Sequence, residues 1–266
     1  MSSESEGGQN REQREILIMG SVDFLGFKFP VQQLEAISQK VLRPGKSSGT
    51  AYHLVNAFTL AEASKSHQLT EILKNDLLLC DGKPLSVILK KQNSHLNQIR
   101  GADLMFRVLQ GSPKEVGHFF LGSSDETLQK LMVVGNALNP NLSINGVLAP
   151  PYLSDFAHLI DAWVMTIKDS GASIVWVGLG TPKQDFVVHE LSQRIPVDVF
   201  AVGAAFDYLA GNLSESPRVF QVVGLEWLFR LFKEPRRLAK RYLIGNLIFI
   251  QLVLKHTARA LISSKL

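Results

Sequence analysis

The chain has 266 residues, 45% of them hydrophobic, enough to fill the core of one large α/β unit with an appendage. A single cysteine, Cys80, excludes an internal disulfide and fits a reducing compartment. The net charge of +4 hides an asymmetry: residues 214–266 carry ten Lys/Arg against three Asp/Glu, while the remainder is slightly acidic, so the C-terminal end is expected to meet an anionic partner.

In chain order, residues 1–14 form a polar tail without the apolar core that a secretory leader needs. Short β-branched or apolar runs follow at 15–19, 51–55, 77–79, 117–121, 143–147, 173–178 and 197–202, separated by longer helical patterns. Such alternation predicts an α/β fold, Rossmann-like, with a mostly parallel sheet flanked by helices. The segment 43–50 (RPGKSSGT) reads as a basic surface loop, and its spacing is not that of a phosphate-binding P-loop. Five strand endings carry turn-forming residues: Asn56, Asp81-Gly82, Gly122-Ser123-Ser124, Gly178-Leu179-Gly180 and Gly203. Ligands of open parallel sheets gather beyond the carboxyl ends of strands, so chemistry is expected there.

Composition changes after Gly211. Residues 211–217 read as a linker, dividing a core at 15–213 from a basic helical appendage at 214–266. The longest apolar stretch, 243–254, is interrupted by Gly245, Asn246 and Gln251 and is shorter than the roughly 20 residues that span a bilayer. A helix over 243–261 is expected, with Gln251, Lys255 and Arg259 at four-residue spacing and aliphatic residues elsewhere. With cations just upstream, it suits either an anionic membrane interface or packing against protein.

Several familiar site patterns fail on inspection. Gly178-Leu179-Gly180 opens like a dinucleotide fingerprint, but Lys183 holds the third glycine position. His189-Glu190 lacks the second histidine of a zinc motif, and no Asp-x-Asp occurs for a metal-bound sugar nucleotide, so no cofactor or metal is expected. Asp81 follows an apolar strand and reads either as a general base for a hydroxyl or as a turn-forming aspartate. In Gly178–Asp185 (GLGTPKQD), Thr181 is expected to cap a helix with Pro182 at its first position, and Gln184 to offer its amide to a sugar or phosphate. Asp207 follows the last strand by a few residues, where helix capping is an equal reading. Arg218, Arg230 and Arg237 belong to a basic run whose planar guanidinium groups suit phosphate oxygens or simply a solvated face. No nucleic-acid-binding motif accompanies that charge.

Taken together and in order, these segments resemble the WecG/TagA/CpsF family of glycosyltransferases over residues 16–242. The resemblance lies in Asn56-Ala57, Asp81-Gly82-x-Pro84-Leu85, Gly101-Ala102-Asp103-Leu104, Gly178-x-Gly180-x-Pro182-Lys183-Gln184, Val202-Gly203-x-x-Phe206-Asp207-x-x-Ala210-Gly211, and Gly224-Leu225-Glu226-Trp227-Leu228-x-Arg230 with Glu234-Pro235-x-Arg237. It implies metal-independent, inverting transfer from a UDP-sugar to a polyprenyl-diphosphate-linked saccharide in bacterial surface polysaccharide synthesis. It further implies Asp81 as base, Asn56 and Gln184 at the donor sugar, Asp207 at the nucleotide, and Arg218, Arg230 and Arg237 over the diphosphate. The expected setting is cytoplasmic and peripheral on the cell membrane's inner face, through the tail, as a monomer or homo-oligomer. Two positions depart from the family's pattern: Leu54 stands where threonine is common, and Gln98 where arginine is common. Arg100 lies two positions on, which in a strand is the same face. The competing expectation is a non-catalytic nucleotide- or lipid-binding scaffold of the same fold.

Overall fold

A computed structural model describes residues 20–43, 49–151, 156–214, 216–217, 220 and 225–263. The strand expected at 15–19, the centre of the 43–50 loop and Arg218 lie outside the described residues, as do the side chains of residues 237, 240, 241 and 260.

The described chain opens with a hairpin that the sequence reading missed, β1 (Ser21–Phe24) and β2 (Phe27–Pro30). Its two central residues, Leu25 and Gly26, both have positive φ, as the tight turn matching strand twist requires. Leucine in that region costs about 1–2 kcal/mol, which is why Leu-Gly gives little sequence indication of a turn. The compensation is burial: Val22, Phe24, Phe27 and Phe29 alternate onto one apolar face.

The remaining elements alternate. They are α1 (Leu34–Val41), β3 (Ala51–Val55), α2 (Ala57–Ala63), α3 (His67–Asn75), β4 (Leu77–Cys80), α4 (Lys83–Lys90), α5 (Gly101–Gly111), β5 (Gly117–Gly122) and α6 (Asp125–Leu138). Then follow β6 (Ser143–Leu148), α7 (Ile160–Ser170), β7 (Ile174–Gly178), α8 (Lys183–Arg194), β8 (Asp198–Ala201), α9 (Ala205–Leu209), α10 (Glu226–Lys233) and α11 (Pro235–Ser263). Six strands form one parallel sheet in the order β4-β3-β8-β7-β5-β6, with helices on both faces. The fold is Rossmann-like α/β, as expected.

Strands β3, β5 and β8 are buried along their whole length, which accounts for their near-continuous apolar sequence. Register puts Val55 beside Cys80, Val177 beside Ala201 and Gly122 beside Gly178, so five strands end nearly level. Two glycines make that edge possible. A Cβ on Gly122, at φ +129°, would lie 2.6 Å from the Gly178 carbonyl oxygen, and one on Gly178 would lie 2.8 Å from the Phe206 ring.

The helix expected over 243–261 is the distal part of one 29-residue helix, α11. No glycine or proline break separates the upstream basic run from the apolar stretch. Gly245 lies inside it, and a Cβ there would meet the Phe58 ring at 2.8 Å; the glycine lets α11 approach α2 closely. Leu238 and Phe249 are buried on that side. Leu243, Leu247, Ile250, Leu254 and Leu261, which recur at near-heptad spacing, are exposed on the other.

Candidate active site

A crevice of about 1000 Å³ opens at the carboxyl edge of the sheet. All five strand endings singled out from the sequence line it, together with α10 and the first half of α11. It is the ligand position expected for an open parallel sheet.

Asn56 caps α2 where β3 ends. Its Oδ1 accepts the N–H groups of Phe58 at 3.0 Å and Thr59 at 3.2 Å, and its own N–H donates to Thr59 Oγ1 at 3.4 Å, closing a capping box. With Oδ1 so engaged, the amide NH₂ is the group left to donate, and it reaches the Asp81 carboxylate. Asp81 follows β4, held by its N–H on the Val55 carbonyl at 2.8 Å, and its Oδ1 accepts the Gly82 N–H at 2.8 Å. Gly82, at φ +82°, turns the chain into α4 against Asn56. The turn-forming reading of Asp81 is thus satisfied, and the carboxylate still faces the crevice.

Burial pushes the Asp81 carboxyl up to about 6, reinforced by the nearby negative charge of Glu226. The Gly82 N–H, the Asn56 amide and Arg100 pull the other way without restoring an ordinary carboxylate. Arg100 precedes α5, where Ile99 N–H bonds the Cys80 carbonyl at 2.8 Å and so brings Arg100 alongside Asp81. It is not in a strand, but Gln98 and Arg100 both line the crevice, as does Leu54. Arg100 ion-pairs with Asp103 at 3.2 Å and with Glu226 of α10 at 3.0 Å.

The Gly178–Gln184 turn is organised by Gln184, which is buried: its Oε1 accepts the Gly180 N–H at 3.0 Å and its Nε2 donates to Thr181 Oγ1 at 3.4 Å. The expected capping role of Thr181 is not realised. Pro182 itself, with helical backbone angles, occupies the cap position of α8, and no side chain caps that end. Thr181 spends its hydroxyl on Gln184 instead, within the crevice wall. Asp207, in the first turn of α9, also lines the crevice and receives the Asn212 amide at 3.4 Å.

From the C-terminal helices come Glu226, Trp227, Arg230, Tyr242 and Asn246. Arg230 sits over the Tyr208 ring, 5.6 Å from its centroid, and among the described residues no acceptor reaches its buried Nε. Of the three tail arginines named from sequence, Arg230 is therefore placed in the crevice, whereas the structure does not describe Arg218 or the side chain of Arg237. Glu226, in the same segment, also lines the crevice, although the sequence pointed there only to cations.

A second group joins His189, which the sequence offered only as an incomplete zinc motif, to residues far from it along the chain. His53, fully buried in β3, bonds Asp185 of α8 at 2.9 Å through Nδ1 and Asp76 at 3.0 Å through Nε2; Asp76 also accepts from His189 Nδ1 at 2.8 Å. Burial alone would depress the His53 pKa, but the two carboxylates outweigh it and hold it up at about 9. His53 is thus an imidazolium at neutral pH, clamping α8 to the sheet one residue from Gln184. A lone histidine in an otherwise apolar strand was the available indication, since a buried polar group must find partners.

Fold and crevice together define a Rossmann-like protein with a large crevice at the carboxyl ends of its parallel strands. The family model described as "Glycosyl transferase WecG/TagA/CpsF family" matches residues 22–262, nearly the whole chain, and the protein belongs to that family. It is accordingly a glycosyltransferase of cell-surface polysaccharide synthesis, a class that uses a nucleotide-sugar donor and a lipid-linked acceptor. Among the described residues, no helix is long and apolar enough to cross a membrane.

Proposed function

We propose that the protein is an inverting, metal-independent transferase that moves a hexosyl group from a UDP-sugar to a saccharide on polyprenyl diphosphate, with Asp81 as general base. The observation that carries this reading is Asp81 itself: a carboxylate at a strand end, facing a crevice large enough for both substrates, with its pKa pushed up to about 6. Such a group is ionised at neutral pH, yet it is a stronger base than an ordinary aspartate.

In a single displacement the acceptor oxygen attacks the anomeric carbon. The bond from that carbon to the diphosphate oxygen breaks, the nucleoside diphosphate leaves with the bonding pair, and the acceptor's proton passes to Asp81. Asn56 and Gln184 flank the donor sugar, Asp207 holds the nucleotide, and Arg230 with Arg218 and Arg237 balances charge on the departing diphosphate. Arg100 and Thr181 complete the substrate contacts. N-acetylmannosaminyl, mannosaminuronyl and glucosyl groups are the candidate cargoes.

Residues 214–266 act as an appendage that both covers the crevice and rests on the inner face of the cell membrane. The exposed stripe Leu243, Leu247, Ile250, Leu254 and Leu261 on a helix that begins with cations supports this. The test is a panel of UDP-sugars with a short-chain polyprenyl-diphosphate-saccharide acceptor in the presence of chelator, followed by linkage and anomer analysis. Transfer with inverted configuration from one donor is expected; no transfer from any donor, or retained configuration, would overturn the reading.

A further inference from the structure

Glu226 and Arg100 lie 126 positions apart, and their ion pair joins α10 to the start of α5, beside the turn that carries the base. Both side chains are largely enclosed in the crevice wall, 26% and 17% exposed, so their charges are only partly screened by solvent. Arg100 sits beside Asp81 because Ile99 bonds the Cys80 carbonyl. Four charges therefore share this corner: Asp103 and Glu226 hold Arg100, and Asp81 lies within the field of Arg100 and Glu226. Arg100 turns its terminal nitrogens to Asp103 and Glu226, and it reaches Asp81 through its field and not through a hydrogen bond.

We propose that Glu226 is a positioning residue that arms Asp81: it holds the Arg100 guanidinium on itself and presents its own negative charge to the crevice, so Asp81 works as a base only while α10 is docked. Without Glu226, one end of the Arg100 guanidinium stays on Asp103 and the end that Glu226 held is released toward Asp81. An ion-paired aspartate is a weak base. Base strength and coverage of the crevice thereby become one event, and a hydroxyl is not deprotonated at an uncovered donor.

The other charged or titratable groups opening onto the crevice are Lys83 on the base's own turn, Asp125 on α6, Lys183 on α8, Asp207 and Tyr208 on α9, Arg230 on α10 and Tyr242 on α11. Glu226 and Arg100 are the two side-chain charges that move Asp81.

The inference rests on Asp81 being the base, and its test needs no turnover. Aspartates of the full chain are labelled with ¹³C at the carboxyl carbon and titrated by NMR, with Asp81→Asn identifying the Asp81 resonance. The wild-type midpoint is expected near 6. In Glu226→Gln it falls by about one unit, the effect of losing a neighbouring like charge and releasing a cation. In Arg100→Gln it rises, because the charge of Glu226 is then unopposed. An unchanged midpoint in a folded Glu226→Gln protein overturns the inference. Should that variant not fold, a midpoint in Arg100→Gln that stays or falls overturns it equally. If Asp81→Asn still transfers sugar, the base reading itself fails, whatever the titration gives; a dead Asp81→Asn enzyme with no Glu226 effect removes Glu226 alone.

Discussion

Replacing His53 by glutamine removes the buried imidazolium, leaving Asp185 without its cation and Asp76 with His189 alone. The native pKa of about 9 stands against 6.5 for an ordinary histidine. The native state therefore holds a proton that the unfolded chain releases between those limits. Stability from this group is fully present below pH 6.5 and is lost as pH rises through 9. That difference amounts to about 3 kcal/mol, with a steepest slope of about 1.4 kcal/mol per pH unit, one proton's worth. Urea denaturation followed by tryptophan fluorescence, with Trp176 buried in the core, reads the effect at a series of pH values. Wild type should lose about 3 kcal/mol across the window, while His53→Gln should start lower by a similar amount and show a flatter profile, keeping only the smaller contribution of His189. Equal slopes for wild type and variant would refute the argument that a charged His53 clamps α8.

Other outcomes follow from single contacts. Gly122→Ala should cost about 2–4 kcal/mol in thermal melting, because the new methyl group meets backbone at a positive φ; an unchanged melting temperature would sink the claim that strands β5 and β7 need this approach. Arg230→Ala should weaken UDP binding about tenfold or more in calorimetry, since a charge-assisted hydrogen bond contributes about 1.5–3 kcal/mol; unaltered affinity would take Arg230 out of the nucleotide site. The pair Ile250→Glu and Leu254→Glu should reduce co-sedimentation with vesicles containing anionic lipid about tenfold or more, with circular dichroism unchanged. Equal binding by the variant would show that this stripe does not face lipid.

Much of the sheet was legible because parallel strands buried on both faces must be apolar, as in Leu77–Cys80 and Ile174–Gly178, and must end in residues that turn sharply. Those endings converge in space because the strands run parallel, so locating them amounted to locating the crevice. The β1–β2 hairpin was hidden because a leucine takes a backbone conformation normally left to glycine or asparagine. Thr181 was misread since local composition favoured a cap, while the tertiary partner of its hydroxyl, Gln184, could not be weighed. The His53 network joins β3, the turn after α3 and α8, a long-range coincidence that spacing along the chain does not encode. Glu226 gave no signal in the sequence because its partner, Arg100, lies 126 positions away.

In the proposed mechanism Asp81 takes the acceptor's proton. Its most direct test is sugar transfer by Asp81→Asn beside wild type, using the donor and short-chain lipid acceptor found by screening, with UDP affinity measured on the same preparations. A loss of transfer of about 10²-fold or more, the usual contribution of a general base, is expected with UDP binding retained. Transfer by Asp81→Asn at the wild-type rate would contradict it.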